Sequence, residues 1–191
     1  MPIERKLMDK YQNKYRNGTT RAKFWNYGWH AYYFITLCTH KRIYWFGNVI
    51  ESEMVLSKIG EIARDEWLNT FQMRPDMNLT KGEFVVMPDH FHAVIGIGWN
   101  EYNSDRWAAM HCGPTIGPKN KFGPQSKNLP SIVRGFKISV TRAARLIYPE
   151  FKWQARYYDH IIRDENSLQR ISNYIKNNPV EWQKKINNSK K

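Results

Sequence analysis

Two apolar, strand-like runs meet at a proline, and this arrangement restricts the fold more than any other feature of the chain. The runs cover Leu79 to Met87 and Asp89 to Gly98, and they adjoin at Pro88-Asp89. Proline presets the backbone for a turn and cannot donate a ladder hydrogen bond, and aspartate also favours turns. The pattern therefore predicts an antiparallel hairpin of these two strands.

The second strand of this hairpin begins with His90-Phe91-His92. Alternation along a strand sends His90 and His92 to one face and Phe91 to the other. Two imidazoles about 6 to 7 Å apart at their Cα atoms can bind one divalent ion while Phe91 fills the core. Hydrogen-bonded or surface histidines at a turn would give the same pattern, so the pair alone does not identify a metal site.

Periodicity assigns the remaining elements. The runs are a strand at His30 to Thr39, a helix at Glu51 to Thr70, a helix at Pro130 to Tyr148, a strand at Tyr157 to Arg163 and a helix at Asp164 to Asn178. Glu51 and Glu53 suit the start of the first helix, and Pro179 suits the end of the last. This order predicts an α+β fold, a ferredoxin-like (RRM-like) antiparallel sheet with packed helices.

The length of 191 residues fits one domain. We expect a basic N-terminal arm over residues 1–28, a single domain over 29–183 and a basic tail over 184–191. Repeated glycine and proline make Trp99 to Leu129 a long loop. His111 and Cys112 in that loop have no further metal-ligating partner at a usable spacing, so we interpret them as structural or incidental.

The charge of the chain points to a polyanionic partner. Lys and Arg number 30 against 17 Asp and Glu, for a net charge of +13, and aromatic residues make up 15%. A basic chain of this kind favours nucleic acid, and some aromatic residues are expected to stack on unpaired bases. The helix at Pro130 to Tyr148 carries a basic stripe suited to phosphates, although a merely solvated face is the alternative. The stripe consists of Arg134, Lys137, Arg142 and Arg145.

Localisation follows from what the sequence lacks. The start of the chain has no apolar signal core, no window is long enough to cross a membrane, and two cysteines form no disulfide framework. We expect a soluble, cytoplasmic protein with no membrane partner.

Tyr174 and Asn178 form the second candidate constellation. Four residues apart on a helix, they would lie one above the other beside the apolar stripe. A tyrosine oxygen and an amide oxygen there could approach one ion-bound phosphate. An ordinary interfacial tyrosine near a helix end is the alternative.

Taken in order, several short segments of the sequence resemble motifs of the HUH superfamily of single-tyrosine transposases, and most closely those of its REP-associated tyrosine transposase branch. The segments are Val86 to Ala93, Ile132 to Lys137, Trp153-Gln154, Tyr157 to Arg163, Tyr174-Ile175 and Asn178-Pro179. The resemblance covers roughly Tyr32 to Trp182 apart from the long loop.

The resemblance implies an HUH endonuclease fold and a metal-dependent reaction. His90 and His92 would bind Mg²⁺ or Mn²⁺, Asn178 would be the third ligand, and Tyr174 would be the nucleophile. Asn178 is a departure from the glutamine of many insertion-sequence relatives. The ion would polarise a phosphate oxygen.

The substrate implied is single-stranded DNA next to a hairpin, such as a REP-like palindrome in a bacterial nucleoid. Cleavage would leave a 5′-phosphotyrosine that a second 3′-hydroxyl can attack, which gives strand transfer. Arg156 joins the basic stripe as a predicted DNA contact. Monomer and homodimer both remain open.

Two alternatives accompany this interpretation. Tyr157 and Tyr158 compete for the role of nucleophile, since they lie beside Arg156 and His160. The chain could also be a non-catalytic nucleic-acid-binding module with a ferredoxin-like fold, which would read bases through aromatic residues on its strands.

Overall fold

A computed structural model describes residues 25–103 and 126–188, together with residues 10, 11, 14, 15 and 22. Most of the predicted basic arm therefore lies outside the described residues, as do His111, Cys112 and the rest of 104–125. At the start of the chain, β1 (Lys10–Tyr11) pairs antiparallel with β2 (Lys14–Tyr15).

The main elements mix strands and helices along the chain. They are β3 (Ala31–Cys38), β4 (Gly47–Ile50), β5 (Glu53–Leu56), α1 (Lys58–Gln72), β6 (Leu79–Met87), β7 (His90–Ile97), α2 (Leu129–Arg145), β8 (Tyr158–Ile162), α3 (Glu165–Lys176) and α4 (Asn178–Asn188). Short 3₁₀ turns cover His40–Arg42 and Pro75–Met77. In the described ranges, no helix has the length and apolar character needed to cross a membrane.

Four strands form one antiparallel sheet in the order β6, β7, β3, β8. The two strands that follow each other directly, β6 and β7, turn at Pro88-Asp89, and Met87 pairs with His90. The predicted hairpin is confirmed. With α1 and α2 as crossovers, this strand order is that of a ferredoxin-like α+β fold, as predicted.

The sheet is covered on both faces. One face packs against α1 and α2 in the main core, which includes Tyr33, Ile35, Trp67, Phe91 and Phe136. On the other face, Val94 and Ile162 pack with Ile175 of α3. The two faces of β7 therefore look toward different helices, and the histidines share a face with α3.

The predicted helix at Glu51 to Thr70 is wrong in its first part. Glu51 and Ser52 form the turn of the β4–β5 hairpin, with φ of 50° and 67°. The helix α1 begins only at Lys58, because the side chain of Ser57 accepts a hydrogen bond from the backbone N–H of Gly60 and caps it. Glu51 and Glu53 therefore do not lie at its N-terminus.

The predicted end of the last helix at Asn178 is also wrong. The side chain of Asp164 caps α3, which ends at Lys176, and Asn177 keeps a right-handed helical backbone. Proline is well tolerated in the first turn of a helix, so Pro179 lies near the start of α4 and does not end the helical course. Residues 184–188 of the expected tail belong to α4, and 189–191 lie outside the described residues.

Candidate active site

His90 and His92 point to the α3 side of the sheet, and Phe91 points into the main core. The two imidazole centroids are 4.5 Å apart, and each histidine is 5% exposed. The Phe91 ring lies 5.2 Å from both Trp67 and Phe136. The apolar contacts of Phe91 thus fix the strand, and alternation brings both imidazoles to the same place.

Each histidine is held through its Nδ1 atom. His90 Nδ1 donates to Asp89 Oδ1 at 2.6 Å, and Thr36 Oγ1 shares a hydrogen bond of 2.8 Å with His92 Nδ1. Asp89 is 3% exposed, and its Oδ2 accepts from Arg42 Nε at 2.8 Å. Partners of this kind fix the ring orientation of a metal-ligating histidine and leave Nε2 for a ligand.

Tyr174 approaches this pair from α3. Its hydroxyl oxygen lies 3.3 Å from His92 Nε2, and its ring meets Phe34 edge to face at 6.2 Å. The side chain is 51% exposed, although Ile175 next to it is buried. The packing of α3 thus holds the phenol at the histidines and leaves it accessible to a substrate.

Asn178 completes the predicted set from the first turn of α4. It is 7% exposed, and its side chain makes no hydrogen bond to any residue that the structure describes. It lines the same cavity as the histidines, and an amide oxygen is a ligand that Mg²⁺ and Mn²⁺ accept. Tyr174 and Asn178 lie on successive helices, and the helical backbone of Asn177 still keeps both at the site.

One cavity of about 240 Å³ joins these side chains. Its lining comprises Thr36, Arg42, His90, His92, Tyr174, Asn178, Glu181, Trp182 and Lys185. The last three come from α4, which the sequence analysis missed. Trp182 lies 5.6 Å from the His90 ring and 5.8 Å from Tyr44. Pro179 in the first turn, with Trp182 three residues later, was the available signal for this helix.

Burial keeps His92 uncharged. Desolvation, with smaller effects of His90 and Arg42, lowers the pKa of His92 from 6.5 to about 3. A neutral imidazole is the form that binds a metal. In ranges 25–103 and 126–188, no three His, Cys, Asp or Glu side chains cluster in a way that could hold an ion. The residues that could hold one are His90, His92 and Asn178, an open set of two nitrogens and one amide oxygen.

The two rival tyrosines lie apart from each other. Tyr157 packs against the main core on the α2 side. Tyr158 is on the α3 face of β8, paired with Thr36 in the sheet, and its ring lies 6.3 Å from Phe34. Of these tyrosines, Tyr174 is the one seen hydrogen-bonded to a site histidine.

All five predicted DNA contacts line one groove of about 870 Å³ between α2 and residues 152–157. They are Arg134, Lys137, Arg142, Arg145 and Arg156, and Lys152 joins them. In the described part of the chain, no acidic side chain lines this groove. It lies on the α2 side of the sheet, away from the histidines.

Two of these basic residues also shape the wall of the groove. Lys137 Nζ donates to the carbonyl oxygens of Gln154 and Arg156 at 2.8 and 3.2 Å, and burial lowers its pKa. Arg145 Nε donates to the carbonyl oxygen of Phe151 at 3.1 Å. Arg134 and Arg142 are exposed on the same groove.

Comparison with known proteins shows which proteins this chain is similar to. No family model matches the chain. An uncharacterised protein of Haemophilus influenzae is 36% identical over 167 residues, which cover 85% of this chain and 88% of that protein. Among solved structures, a REP-associated tyrosine transposase bound to a REP hairpin aligns with a TM-score of 0.53 and 18% identity, covering 86% of this chain and 74% of the other.

A transposase-like structure from Deinococcus radiodurans aligns with 15% identity over 85% of this chain and 96% of the other, at a TM-score of 0.38 that supports no argument. The match to the REP-associated transposase confirms the predicted HUH fold. The chain therefore has the fold of the REP-associated tyrosine transposase and belongs to one family with the uncharacterised Haemophilus influenzae protein.

Proposed function

We propose that this protein is a transposase-like enzyme that nicks single-stranded DNA next to hairpins and transfers the cut strand. The observation that carries the proposal is the convergence of His90, His92, Tyr174 and Asn178 on one cavity, with the Tyr174 hydroxyl 3.3 Å from His92 Nε2. These side chains come from β7, α3 and α4. A nucleophile beside an open set of metal ligands is the arrangement that covalent phosphoryl transfer needs.

The ligand set fits Mg²⁺ or Mn²⁺. Nε2 of His90, Nε2 of His92 and the amide oxygen of Asn178 would hold the ion, since Asp89 and Thr36 already hold the Nδ1 atoms. The chemistry that such an ion supplies is Lewis acidity at a non-bridging phosphate oxygen. A closed Cys and His set typical of structural zinc is absent from the described residues.

The nucleophile would be the Tyr174 oxygen. Half exposure of the side chain gives a phosphodiester access to it. A free phenol has a pKa near 10, so the site must stabilise its phenolate before attack. In the reaction, a bond forms between the tyrosine oxygen and phosphorus, and the bond from phosphorus to O3′ breaks. The phenol proton passes to solvent, and the leaving O3′ takes a proton from water.

The product of that step is a 5′-phosphotyrosine and a free 3′-hydroxyl. Attack of a second 3′-hydroxyl on the phosphotyrosine rejoins strands without ATP, because the two ester bonds are of similar energy. Strand transfer is thus the reverse of cleavage with a different strand.

The basic groove on the α2 side would hold the hairpin stem. Its basic lining is suited to phosphates, and the net charge of +13 draws DNA to the protein. The transposase of the same fold is seen with a REP hairpin. Tyr157 lines the groove and Tyr158 lies on the opposite face, so a single strand would pass around the β8 edge to reach Tyr174.

The test is a covalent adduct on labelled hairpin DNA with single-stranded flanks in Mn²⁺, resolved on a denaturing gel. We expect wild type and Tyr158→Phe to form the adduct and Tyr174→Phe to form none. An adduct lost only in Tyr158→Phe would reassign the nucleophile. If the wild type and both variants bind the DNA but none of the three forms an adduct, the protein is a non-catalytic binding module.

A further inference from the structure

Arg42 occupies an unusual backbone position at the edge of the cavity. It ends the 3₁₀ turn His40–Arg42 after β3, and both Lys41 and Arg42 have a left-handed backbone, with φ of 55° and 57°. Such a backbone is disfavoured for residues other than glycine, and it persists where surrounding contacts fix it. Buried Thr39 supplies those contacts, since its Oγ1–H is shared between the carbonyl oxygens of Ile43 and Asp89 at 2.8 and 3.0 Å.

The turn aims one edge of the Arg42 guanidinium at Asp89. Nε donates to Asp89 Oδ2 at 2.8 Å, and Nη1 lies 2.8 Å from Cys38 Sγ. Nη2 has no partner among the residues that the structure describes. Arg42 lines the cavity with His90, His92 and Tyr174, and its side chain is 49% exposed. The guanidinium is therefore held through Nε and Nη1, and Nη2 remains available to a ligand.

The acidic side chains near the cavity, Asp89 and Glu181, are already paired with basic groups. Asp89 is shared between His90 and Arg42, and the Glu181 carboxylate accepts from Lys184 at 2.7 Å. The pKa of Glu181 is lowered by Lys184 and, more weakly, by Lys185. A phosphodiester that reaches Tyr174 would thus enter next to a preoriented guanidinium.

We propose that Arg42 is a catalytic residue that binds a non-bridging oxygen of the scissile phosphate through Nη2 while Nε positions Asp89 and His90. The inference rests on the proposed function. No bond to Arg42 forms or breaks. Its charge offsets the negative charge that gathers on the phosphate oxygens during attack. Arginine suits this double contact because its planar fork holds donors at fixed angles for a carboxylate and a phosphate, whereas the lysine ammonium is a point charge on a flexible stem.

The first measurement is the single-turnover rate of adduct formation at saturating Mn²⁺. Arg42→Gln should lower the rate roughly 100- to 1,000-fold, the usual effect of removing one charge stabiliser. Arg42→Lys should recover only part of it. Lys41→Gln is the matched control, since Lys41 shares the turn and the left-handed backbone but does not line the cavity. A wild-type rate in Arg42→Gln would overturn the inference, whereas no adduct in wild type would overturn the proposed function instead.

The second measurement separates contact with phosphate from an effect through Asp89. Mn²⁺ affinity is read by the loss of the free-ion electron paramagnetic resonance signal, without DNA. If Arg42 acted only by positioning His90, Arg42→Gln would weaken Mn²⁺ binding as Asp89→Asn does, and excess Mn²⁺ would restore the rate. We expect the rate of Arg42→Gln to stay low at saturating Mn²⁺.

A binding cycle tests the contact itself. In the Tyr174→Phe background and without a divalent metal, DNA with a neutral methylphosphonate at the mapped cleavage position is compared with the normal phosphodiester. When Arg42 is present, the normal phosphodiester DNA should bind roughly 10- to 100-fold more tightly than the methylphosphonate DNA. This ratio corresponds to the energy of one charge-assisted hydrogen bond. In Arg42→Gln this preference should largely disappear. An equal preference in both proteins would contradict a contact between Arg42 and this phosphate.

Discussion

The hydroxyl oxygen of Tyr174 lies 3.3 Å from Nε2 of His92, although 82 residues separate the two in the sequence. The contact joins α3 to the central strand β7. It depends on the packing of Ile175 with Val94 and Ile162 beneath the helix. The position of the proposed nucleophile therefore depends on apolar packing, and it can be tested apart from the chemistry.

Replacement of Ile175 by alanine should weaken both stability and activity. Ile175 is fully buried, and loss of such a side chain costs about 2 to 5 kcal/mol of unfolding free energy. Adduct formation should fall more than about 10-fold in the fraction that remains folded, because a small displacement of a reacting group is costly. Urea denaturation and the adduct assay measure the two effects. Leu146→Ala, at an exposed apolar residue, should change neither.

The partners of the histidine Nδ1 atoms should control metal affinity. Asp89→Asn removes the charged acceptor of His90 Nδ1–H, and we expect it to weaken Mn²⁺ binding about 10- to 100-fold. Thr36→Val should have a smaller effect, because the partner that it removes from His92 is neutral. Calorimetric titration of the DNA-free protein gives both affinities. Asp65→Asn on the exposed face of α1 is the control, and a loss of equal size there would refute the assignment.

Features set by neighbouring residues could be predicted from the sequence. The Pro88-Asp89 turn follows from the turn preference of its two residues. The opposite directions of His90 and Phe91 and the apolar side of α3 follow from periods of two and 3.6 residues. The same logic failed at Glu51-Ser52, because this turn needs left-handed backbone from two residues that do not favour it. Periodicity then extended the helix into the β4–β5 hairpin.

Features set by the register of the sheet could not be predicted. Thr36 lies opposite His92 only because β3 and β7 pair in one particular register. Arg42 reaches Asp89 through a turn that no propensity predicts. Trp182 reaches His90 because a further helix, α4, begins at Asn178, where the sequence suggested an end to helical structure. The partners of the proposed catalytic residues thus depend on tertiary structure, whereas the types of those residues are visible in the sequence motif.

The stability of the metal-free protein should decrease in mild acid because of His92. Its pKa is about 3 in the folded protein against the usual 6.5, so the unfolded chain takes up this proton first as the pH falls. The contribution is complete above about pH 6.5 and is lost progressively below it, by up to ~1.4 kcal/mol per pH unit. Urea denaturation at several pH values should show a shallower decrease for His92→Gln than for wild type. Parallel curves would mean that His92 titrates normally.

The salt dependence of DNA binding should report on the groove on the α2 side. The slope of log K against log salt is negative. Each phosphate contact that is removed reduces its magnitude by about 0.7 to 0.9, because fewer counterions are released. Arg134→Gln and Arg142→Gln should each reduce the slope by about that amount for a hairpin, since both arginines are exposed in the groove. Fluorescence anisotropy from low to moderate salt gives the slopes. Arg64→Gln removes the same charge from α1, outside the groove, where Arg64 pairs with Asp65. If it lowers the slope as much, the effect is one of net charge, and the hairpin does not lie in the groove.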